Sequence, residues 1–316
     1  MDAPDERRKH EGFRPRLGGV SMLLAFVAAL VATGQKLDGK LLAILAGATL
    51  LVAVGAFDDR RGPRQRELGA GPQLLAQMVA AGLAVAAGVS ILDVRDPTAS
   101  GPFGGVIALP LWAGVALSLF WIAGMVNTVN FLDGLDGLAG GVVAIAAAIL
   151  GGVSLRLGQT DVALLCLALA GCAAGFLPHN LYPARMFMGT SGAWFLGFML
   201  AVLAIVGGAK LATALLVIGV PVLDVAILIL LRFLARQPVW QGDRRHLHHR
   251  LLDTGLSQRG TVLLYYCLSA AFGVYALAFT NNRSVGLGLK IYGLAMLVAV
   301  MVLILVVLTR RRSREA

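Results

Sequence analysis

Long apolar segments follow one another along almost the whole chain, and they limit the folds that it can adopt. Of its 316 residues, 58% are hydrophobic and 14% are charged, whereas soluble domains carry about 25% charged residues. A membrane-spanning helix needs about 20 mainly apolar residues. The sequence therefore predicts an all-α, polytopic membrane protein in which residues 1–316 form a single integral-membrane domain. We expect about ten transmembrane helices, at residues 18–34, 40–57, 70–91, 110–127, 138–156, 161–178, 191–208, 211–231, 261–280 and 286–308.

The segment 92–109 interrupts this apolar pattern, because it contains Asp, Pro and Gly residues. Such a composition is typical of an irregular loop, and the segment has room for a short hairpin.

The distribution of basic residues predicts how the chain crosses the bilayer. Lysine and arginine collect on the cytoplasmic side of membrane proteins. With both termini in the cytoplasm, most of the 27 basic residues lie inside, so we assign the net charge of +10 to topology and not to nucleic-acid binding. The basic residues left outside are Lys36, Lys40, Arg95, Arg156, Lys210, Arg283 and Lys290. In this orientation, five polar clusters fall on the cytoplasmic face, where we expect one active site: residues 7–19, 57–66, 127–137, 178–192 and 232–259.

The polar stretch at residues 127–137 lies between two apolar segments. Carboxylates and carboxamides at a membrane boundary are costly to desolvate, so a functional interpretation is the default. Asn127, Asn130 and Asp133 are spaced by three residues, and a helical turn would place them on one face. That face could hold a metal ion or a hydrogen-bonding substrate. A helix cap followed by a glycine-rich turn is the structural alternative.

Two adjacent carboxylates, Asp58 and Asp59, end the second apolar segment. Adjacent carboxylates repel each other and favour a cation beside them. Mg²⁺ is commonly held by one or two carboxylates together with substrate phosphate oxygens. With Asp133 and Asp136, four carboxylates on one membrane face suit metal-assisted phosphoryl transfer, with Mg²⁺ or Mn²⁺ as the ion. A solvated helix end is the alternative for the first pair.

The stretch His246-Leu247-His248-His249-Arg250 lies in the longest predicted cytoplasmic loop. Imidazoles can donate hydrogen bonds to phosphate or transfer protons at neutral pH. The alternative is a solvated basic loop, whereas a zinc site is disfavoured because no Cys is near.

Two further features left alternatives open. The basic residues around Lys9 either pair with anionic lipid phosphates or simply flank the first span. Asp224 lies within the eighth apolar segment, where a carboxylate is either functional or paired inside the bundle.

Taken in order, these segments resemble the polyprenyl-phosphate N-acetylhexosamine-1-phosphate transferase family. The resemblance implies that a polyprenyl-phosphate oxygen attacks the β-phosphorus of a UDP-N-acetylhexosamine. The products would be polyprenyl-diphospho-sugar and UMP, with Mg²⁺ required, at the cytoplasmic face of the cell membrane, for cell-wall or surface-polysaccharide synthesis. It leaves homodimer formation open. The matching segments are Pro15-Arg16-Leu17-Gly18-Gly19, Asp58-Asp59, residues 127–138, Asn180-Leu181-Tyr182-Pro183-Ala184, Phe187-Met188-Gly189, Pro221 with Asp224, and residues 246–251.

By this resemblance, the candidate residues fall into three sets. The catalytic set is Asp58, Asp59, Asp133 and Asp136; the substrate-binding set is Lys9, Asn127, Asn130, Asn180, His246, His248 and His249; and the metal-binding set is Asn130 and Asp59.

Two departures from the family pattern stand out. Thr190 occupies the position where the family has a metal-binding Asp, and a neutral hydroxyl is a weaker ligand for Mg²⁺. The family also has a spanning helix before its basic motif, whereas here the motif begins within ten residues of Met1. We therefore expect the chain to lack that helix, through a misassigned start or a shorter natural chain. Two other functions stay open: a degenerate member that binds lipid phosphate or UDP-sugar without turnover, and a transporter or flippase.

Overall fold

The computed structural model describes residues 16, 18–61, 68–96, 105–208, 210–236, 246–278, 293, 295–298 and 302. Lys9 lies outside these residues. The helices and strands that follow in chain order are α1 (Gly18–Ala32), α2 (Gly39–Arg61), α3 (Ala70–Ala86), β1 (Asp93–Asp96), β2 (Gly105–Ala108), α4 (Leu111–Leu132), α5 (Leu138–Arg156), α6 (Thr160–Asn180), α7 (Gly189–Val206), α8 (Leu211–Val217), α9 (Gly219–Leu234), α10 (Leu247–Asp253) and α11 (Gln258–Ala278).

The helices confirm a mainly helical, multi-pass membrane protein. In the described part of the chain, six helices are long and apolar enough to cross a bilayer, namely α2, α4, α5, α6, α7 and α11. The expected ten spans are not confirmed. Helices α1 and α3 have only 15 and 17 residues. The tenth predicted segment lies almost wholly outside the described residues, and the orientation in the membrane stays a prediction.

The eighth predicted span is not one continuous helix. It breaks into α8 and α9, whose axes differ by 85°. Pro221 lies in the first turn of α9, where it has no N–H to bond the carbonyl of Val217. The loss of that hydrogen bond accounts for a break at Ile218, and with the bent pair counted as one span the total rises to seven.

Strands β1 and β2 form an antiparallel hairpin before α4, which confirms the short hairpin in the predicted loop. Asp93 pairs with Ala108 and Asp96 pairs with Gly105.

Helix α7 is the centre of the bundle. Its sequence is apolar on every side, and such a helix is stable only when neighbours surround it. Every residue from Ser191 to Ile205 is buried. Helices α1, α2, α4, α5, α6 and α8 all pack against it. The N-terminus of α7 therefore lies inside the protein, where its backbone N–H groups need partners.

Three glycines allow other elements to approach this N-terminus closely. A Cβ atom on Gly19 of α1 would lie 2.5 Å from the carbonyl carbon of Ser191, and one on Gly55 of α2 would lie 2.5 Å from its Cα. Gly189 has a φ of +69°. A Cβ there would lie 2.5 Å from Asp59 Oδ2.

We expect Gly189→Ala to lower the free energy of unfolding by about 2 kcal/mol or more, because it adds left-handed backbone strain and displaces Asp59. Gly171→Ala is the matched control, since no atom of the described residues lies within 4 Å of a Cβ at that helical position. Thermal unfolding in detergent measures both variants. Equal midpoints would contradict the close contact of Gly189 with Asp59.

Candidate active site around the N-terminus of helix α7

Polar segments that are far apart in sequence meet at one end of the bundle. The last turns of α2, α4 and α6 lie beside the first turns of α5, α7 and α10. Four of the five predicted clusters are joined there by direct contacts, and the first contributes Gly18 and Gly19, which pack against Met188 and Ser191.

The carboxylate of Asp59 caps helix α7. Oδ1 accepts a hydrogen bond from the backbone N–H of Thr190 at 2.9 Å, and Oδ2 accepts one from that of Ser191 at 3.1 Å. The Ser191 hydroxyl donates a third bond to Oδ2 at 2.8 Å. A negative charge at a helix N-terminus is also favoured by the helix dipole. Asp59 thus satisfies the amide groups that the buried helix would otherwise leave without partners.

Asp58 is held by two other donors. Its Oδ1 accepts a hydrogen bond from the backbone N–H of Leu68 at 2.6 Å. Its Oδ2 accepts one from the Thr190 hydroxyl at 3.3 Å. Asp58 and Asp59 are 3% and 5% exposed. Two adjacent buried carboxylates therefore share five donors that all come from the protein itself.

The final turns of α4 carry the two asparagines. The Asn127 amide donates to Gln77 Oε1 on α3 at 2.7 Å, and Gln77 returns a longer bond at 3.4 Å. Asn130 lies one turn later and is half-buried. Its side-chain amide makes no hydrogen bond to the residues that the structure describes. Asp133 ends α4 as its C-cap residue, and its N–H bonds the carbonyl of Val129. Asn130 is accordingly the asparagine whose amide is open to a ligand.

Hydrogen bonds join the turn between α4 and α5 to the loop between α6 and α7. Asn180, only 2% exposed, accepts a hydrogen bond from the N–H of Gly137 at 3.0 Å and donates one to the carbonyl of Met186 at 3.0 Å. Asp136 Oδ2 accepts a bond from the N–H of Ala184 at 3.0 Å. Asn180 therefore positions the turn from beneath, whereas Asp136 remains half-buried at its surface.

Asp224 is paired inside the bundle, which confirms the second alternative for this residue and leaves a functional role untested. Its Oδ2 lies 2.8 Å from His246 Nδ1, and its Oδ1 accepts the Leu247 N–H at 2.9 Å. The His246 ring stacks on Phe131 of α4 and on His248, with centroid distances of 5.5 and 5.6 Å. The histidine stretch is thereby fixed against the polar end of α4.

His248 is the most enclosed of the three histidines. It is 2% exposed, and its Nε2 has no hydrogen-bond partner among the residues that the structure describes. This nitrogen abuts Gly134, where any side chain would collide with it. Burial, and to a lesser extent His249 and His246, lower the pKa of His248 to about 3. It is therefore neutral at physiological pH, so it offers a phosphate no positive charge.

The fit of a divalent cation can be judged from the donors. Within the described ranges, no three His, Cys, Asp or Glu side chains gather as a metal-binding group. Among the described residues, Asp59 Oδ2 accepts two bonds, whereas Asp59 Oδ1 and each oxygen of Asp58 accept one. Mg²⁺ often takes only one or two protein ligands beside substrate phosphates. Asp58 and Asn130 fit that kind of shared site, and Asp59, which accepts three bonds against the two of Asp58, has fewer lone pairs left for a metal.

Comparison with known proteins decides the family. The family model described as glycosyl transferase family 4 matches residues 41–208. The chain belongs to glycosyl transferase family 4. This result confirms the resemblance drawn from the motifs, and the matched residues include α2, the turn after α4 and the N-terminus of α7.

Relatives of this glycosyl transferase family 4 protein match it over most of its length. A probable undecaprenyl-phosphate N-acetylglucosaminyl 1-phosphate transferase of Bacillus subtilis is 32% identical over 89% of this chain and 77% of its own. A decaprenyl-phosphate N-acetylglucosaminephosphotransferase of Mycobacterium tuberculosis is 34% identical, over 89% and 76%. A phospho-N-acetylmuramoyl-pentapeptide-transferase of a Synechococcus species is 35% identical, over 85% and 79%.

Sequence reasoning missed two partners in this site. Gln77 gave no signal, because a single Gln in an apolar segment does not reveal its partner on another helix. The sequence showed Ser191 only as part of a glycine-rich loop and did not predict its hydrogen bonds to Asp59. Carboxylates commonly accept hydrogen bonds from the N–H groups at a helix N-terminus.

We expect the stability of a Thr190→Asp variant to depend on a divalent metal. The Thr190 hydroxyl is 3.3 Å from Asp58 Oδ2, and a carboxylate there would repel Asp58 unless a cation lay between them. In EDTA the variant should unfold at a lower temperature than wild type. Saturating Mg²⁺, at about 100 times its Kd, should stabilise it by about 2.7 kcal/mol.

Thr190→Asn is the matched control, because it has the shape of Asp without the charge. Thermal unfolding without substrates, with EDTA and with Mg²⁺, compares the variants. The same Mg²⁺ response in both would place residue 190 away from any metal.

Proposed function

We propose that this protein transfers an N-acetylhexosamine-1-phosphate from a UDP-sugar to a polyprenyl phosphate, such as undecaprenyl phosphate, and releases UMP. The observation that carries this proposal is the meeting of Asp58, the half-buried Asn130 and the His246 ring at one end of a membrane-spanning bundle. The relatives named as transferases to undecaprenyl and decaprenyl phosphate support it, since they match about nine-tenths of the chain. We place the protein in the bacterial cell membrane, where its product would serve cell-wall or surface-polysaccharide synthesis; homodimer formation remains a prediction.

The site chemistry suits two phosphorylated substrates. A lipid phosphate stays at the membrane boundary, and a nucleotide sugar arrives from the aqueous side. Asp58 has free lone pairs with which to take a proton from the lipid phosphate or to orient it. The Asn130 amide offers both a donor and an acceptor to the sugar nucleotide, and the carboxylates of Asp133 and Asp136 on the following turn offer acceptors. His246 Nε2 is the imidazole nitrogen that Asp224 leaves for a phosphate oxygen.

We propose Mg²⁺ as the cofactor, with Mn²⁺ as a substitute, held by Asp58 and Asn130 together with substrate phosphate oxygens. When bound, the ion would offset the negative charge of the two phosphorylated groups. The protein's own residues hold the site in place: Asp59 fixes the N-terminus of α7, and Asn180 fixes the turn between α4 and α5. The surrounding apolar helices limit the access of water.

The transporter alternative loses its main support. Transport would favour ionisable residues near the middle of the membrane that are free to bind a cargo. Asp224 was the main candidate of that kind, and its two oxygens are bonded to His246 and Leu247. A binding protein without turnover remains the second candidate function, because Thr190 replaces a carboxylate.

One assay separates catalysis from binding. Purified protein would receive undecaprenyl phosphate, Mg²⁺ and a panel of radiolabelled UDP-N-acetylhexosamines. We expect lipid-linked sugar and an equal amount of UMP. Measurable binding of a UDP-sugar, with no product from any donor, would overturn the transferase proposal in favour of the binding protein.

Asn130→Ala tests the site assignment in the same assay. We expect it to lower turnover at least 10-fold, as the loss of a group at a metal or phosphate site commonly does. Thr128→Ser is the matched control on the same turn of α4, because Thr128 is buried and its hydroxyl bonds the carbonyl of Gly124. Equal losses in the two variants would contradict a role for Asn130 in the site.

A further inference from the structure

Asp224 uses both of its oxygens on one neighbouring segment. It is 7% exposed on α9. One oxygen lies 2.8 Å from His246 Nδ1, and the other accepts the N–H of Leu247, the first residue of α10, at 2.9 Å. The carboxylate thus fixes the ring and the backbone that follows it at the same time.

The ring plane of His246 is fixed as well. Phe131 stacks on the ring at 28°, and His248 stacks on it at 8°. An imidazole that is bonded at its edge to a carboxylate and stacked on two other rings is restricted in orientation. Its second nitrogen, Nε2, then points away from Asp224, and it makes no hydrogen bond within the described part of the chain.

The position of this nitrogen matters because of what Phe131 adjoins. Phe131 follows Asn130 directly and precedes Asp133 by two residues. The His246 ring therefore lies against the same turn of α4 that carries the half-buried amide of Asn130. The break at Ile218 is what turns α9 so that a residue inside an apolar helix reaches this turn.

A carboxylate at Nδ1 also decides where the proton of the ring lies. In a neutral imidazole, the proton stays on Nδ1 beside the carboxylate, and Nε2 keeps its lone pair. If Nε2 then takes a proton, the carboxylate stabilises the imidazolium that forms. A ring so placed can accept a proton at Nε2 or donate one to a phosphate oxygen.

We propose that Asp224 is a positioning residue that acts through His246, by holding the proton on Nδ1 and aiming Nε2 at the phosphate groups of the substrates. The proposal rests on the proposed transferase function. The competing interpretation is that Asp224 only anchors the start of α10.

Asp224→Asn separates the two interpretations. The carboxamide has nearly the same shape, and its oxygen can still accept the Leu247 N–H. Its NH₂ group, however, donates to Nδ1 and moves the ring proton to Nε2. We expect an unfolding midpoint close to that of wild type and a fall in kcat of about 100-fold or more, with little change in KM for the UDP-sugar.

Asp224→Glu and Asp224→Ala complete the series. Glu keeps the carboxylate and should restore a measurable part of kcat, whereas Ala should lower both kcat and the unfolding midpoint. A folded Asp224→Asn variant with kcat within threefold of wild type would overturn the proposal. Asp224 would then only anchor the start of α10.

A measurement without substrates keeps this test separate from the proposed function. In ¹⁵N-histidine-labelled protein, the nitrogen shifts report which ring nitrogen carries the proton. We expect Nδ1–H at His246 in wild type and Nε2–H in Asp224→Asn, with His246→Gln to assign the signal. The same tautomer in both proteins would overturn the inference, whereas a wild type with the expected tautomer and no turnover would refute only the transferase.

Discussion

The capping of helix α7 by Asp59 is the interaction on which the rest of the structure depends. A helix that is apolar on every side belongs in the centre of the bundle, but its N-terminal amides then have no water to bond. Asp59 supplies an acceptor from a different helix, and Gly19 and Gly55 allow α1 and α2 to come close enough. This one contact therefore sets the depth of α7 and brings Thr190 against Asp58.

A second buried carboxylate, Asp224, holds another segment in place, as Asp59 holds α7. Asp224 holds His246 after the break between α8 and α9, and the stacked Phe131 ring joins this unit to α4. Asn180 joins the turn that follows α4 to the next loop through a hydrogen bond from the Gly137 N–H. The polar loops are thus fixed by buried carboxylates and amides, while the apolar helices around them provide the packing.

Thr190 changes the surroundings of the Asp58 and Asp59 carboxylates. Its hydroxyl donates to Asp58, so the carboxylate pair is stabilised by protein donors and needs no cation to hold it together. A metal at this site would therefore depend on substrate phosphates for most of its ligands.

The sequence by itself determined the membrane class, the positions of most helices, the hairpin and the set of polar segments that includes Asp58, Asn130 and His246. These features are local, because hydropathy, turn residues and motif spacing act within a few residues of each other. Only the tertiary structure decided that Asn127 pairs with Gln77, that Asp59 caps α7, and that Asn180 is a buried clasp. Hydrogen bonds across 50 to 132 residues join these groups in most cases, and no local pattern specifies which buried donor will find which acceptor. The break at Ile218 belongs to the same class, since Pro221 weakens the helix locally but the packing around α9 fixes the angle.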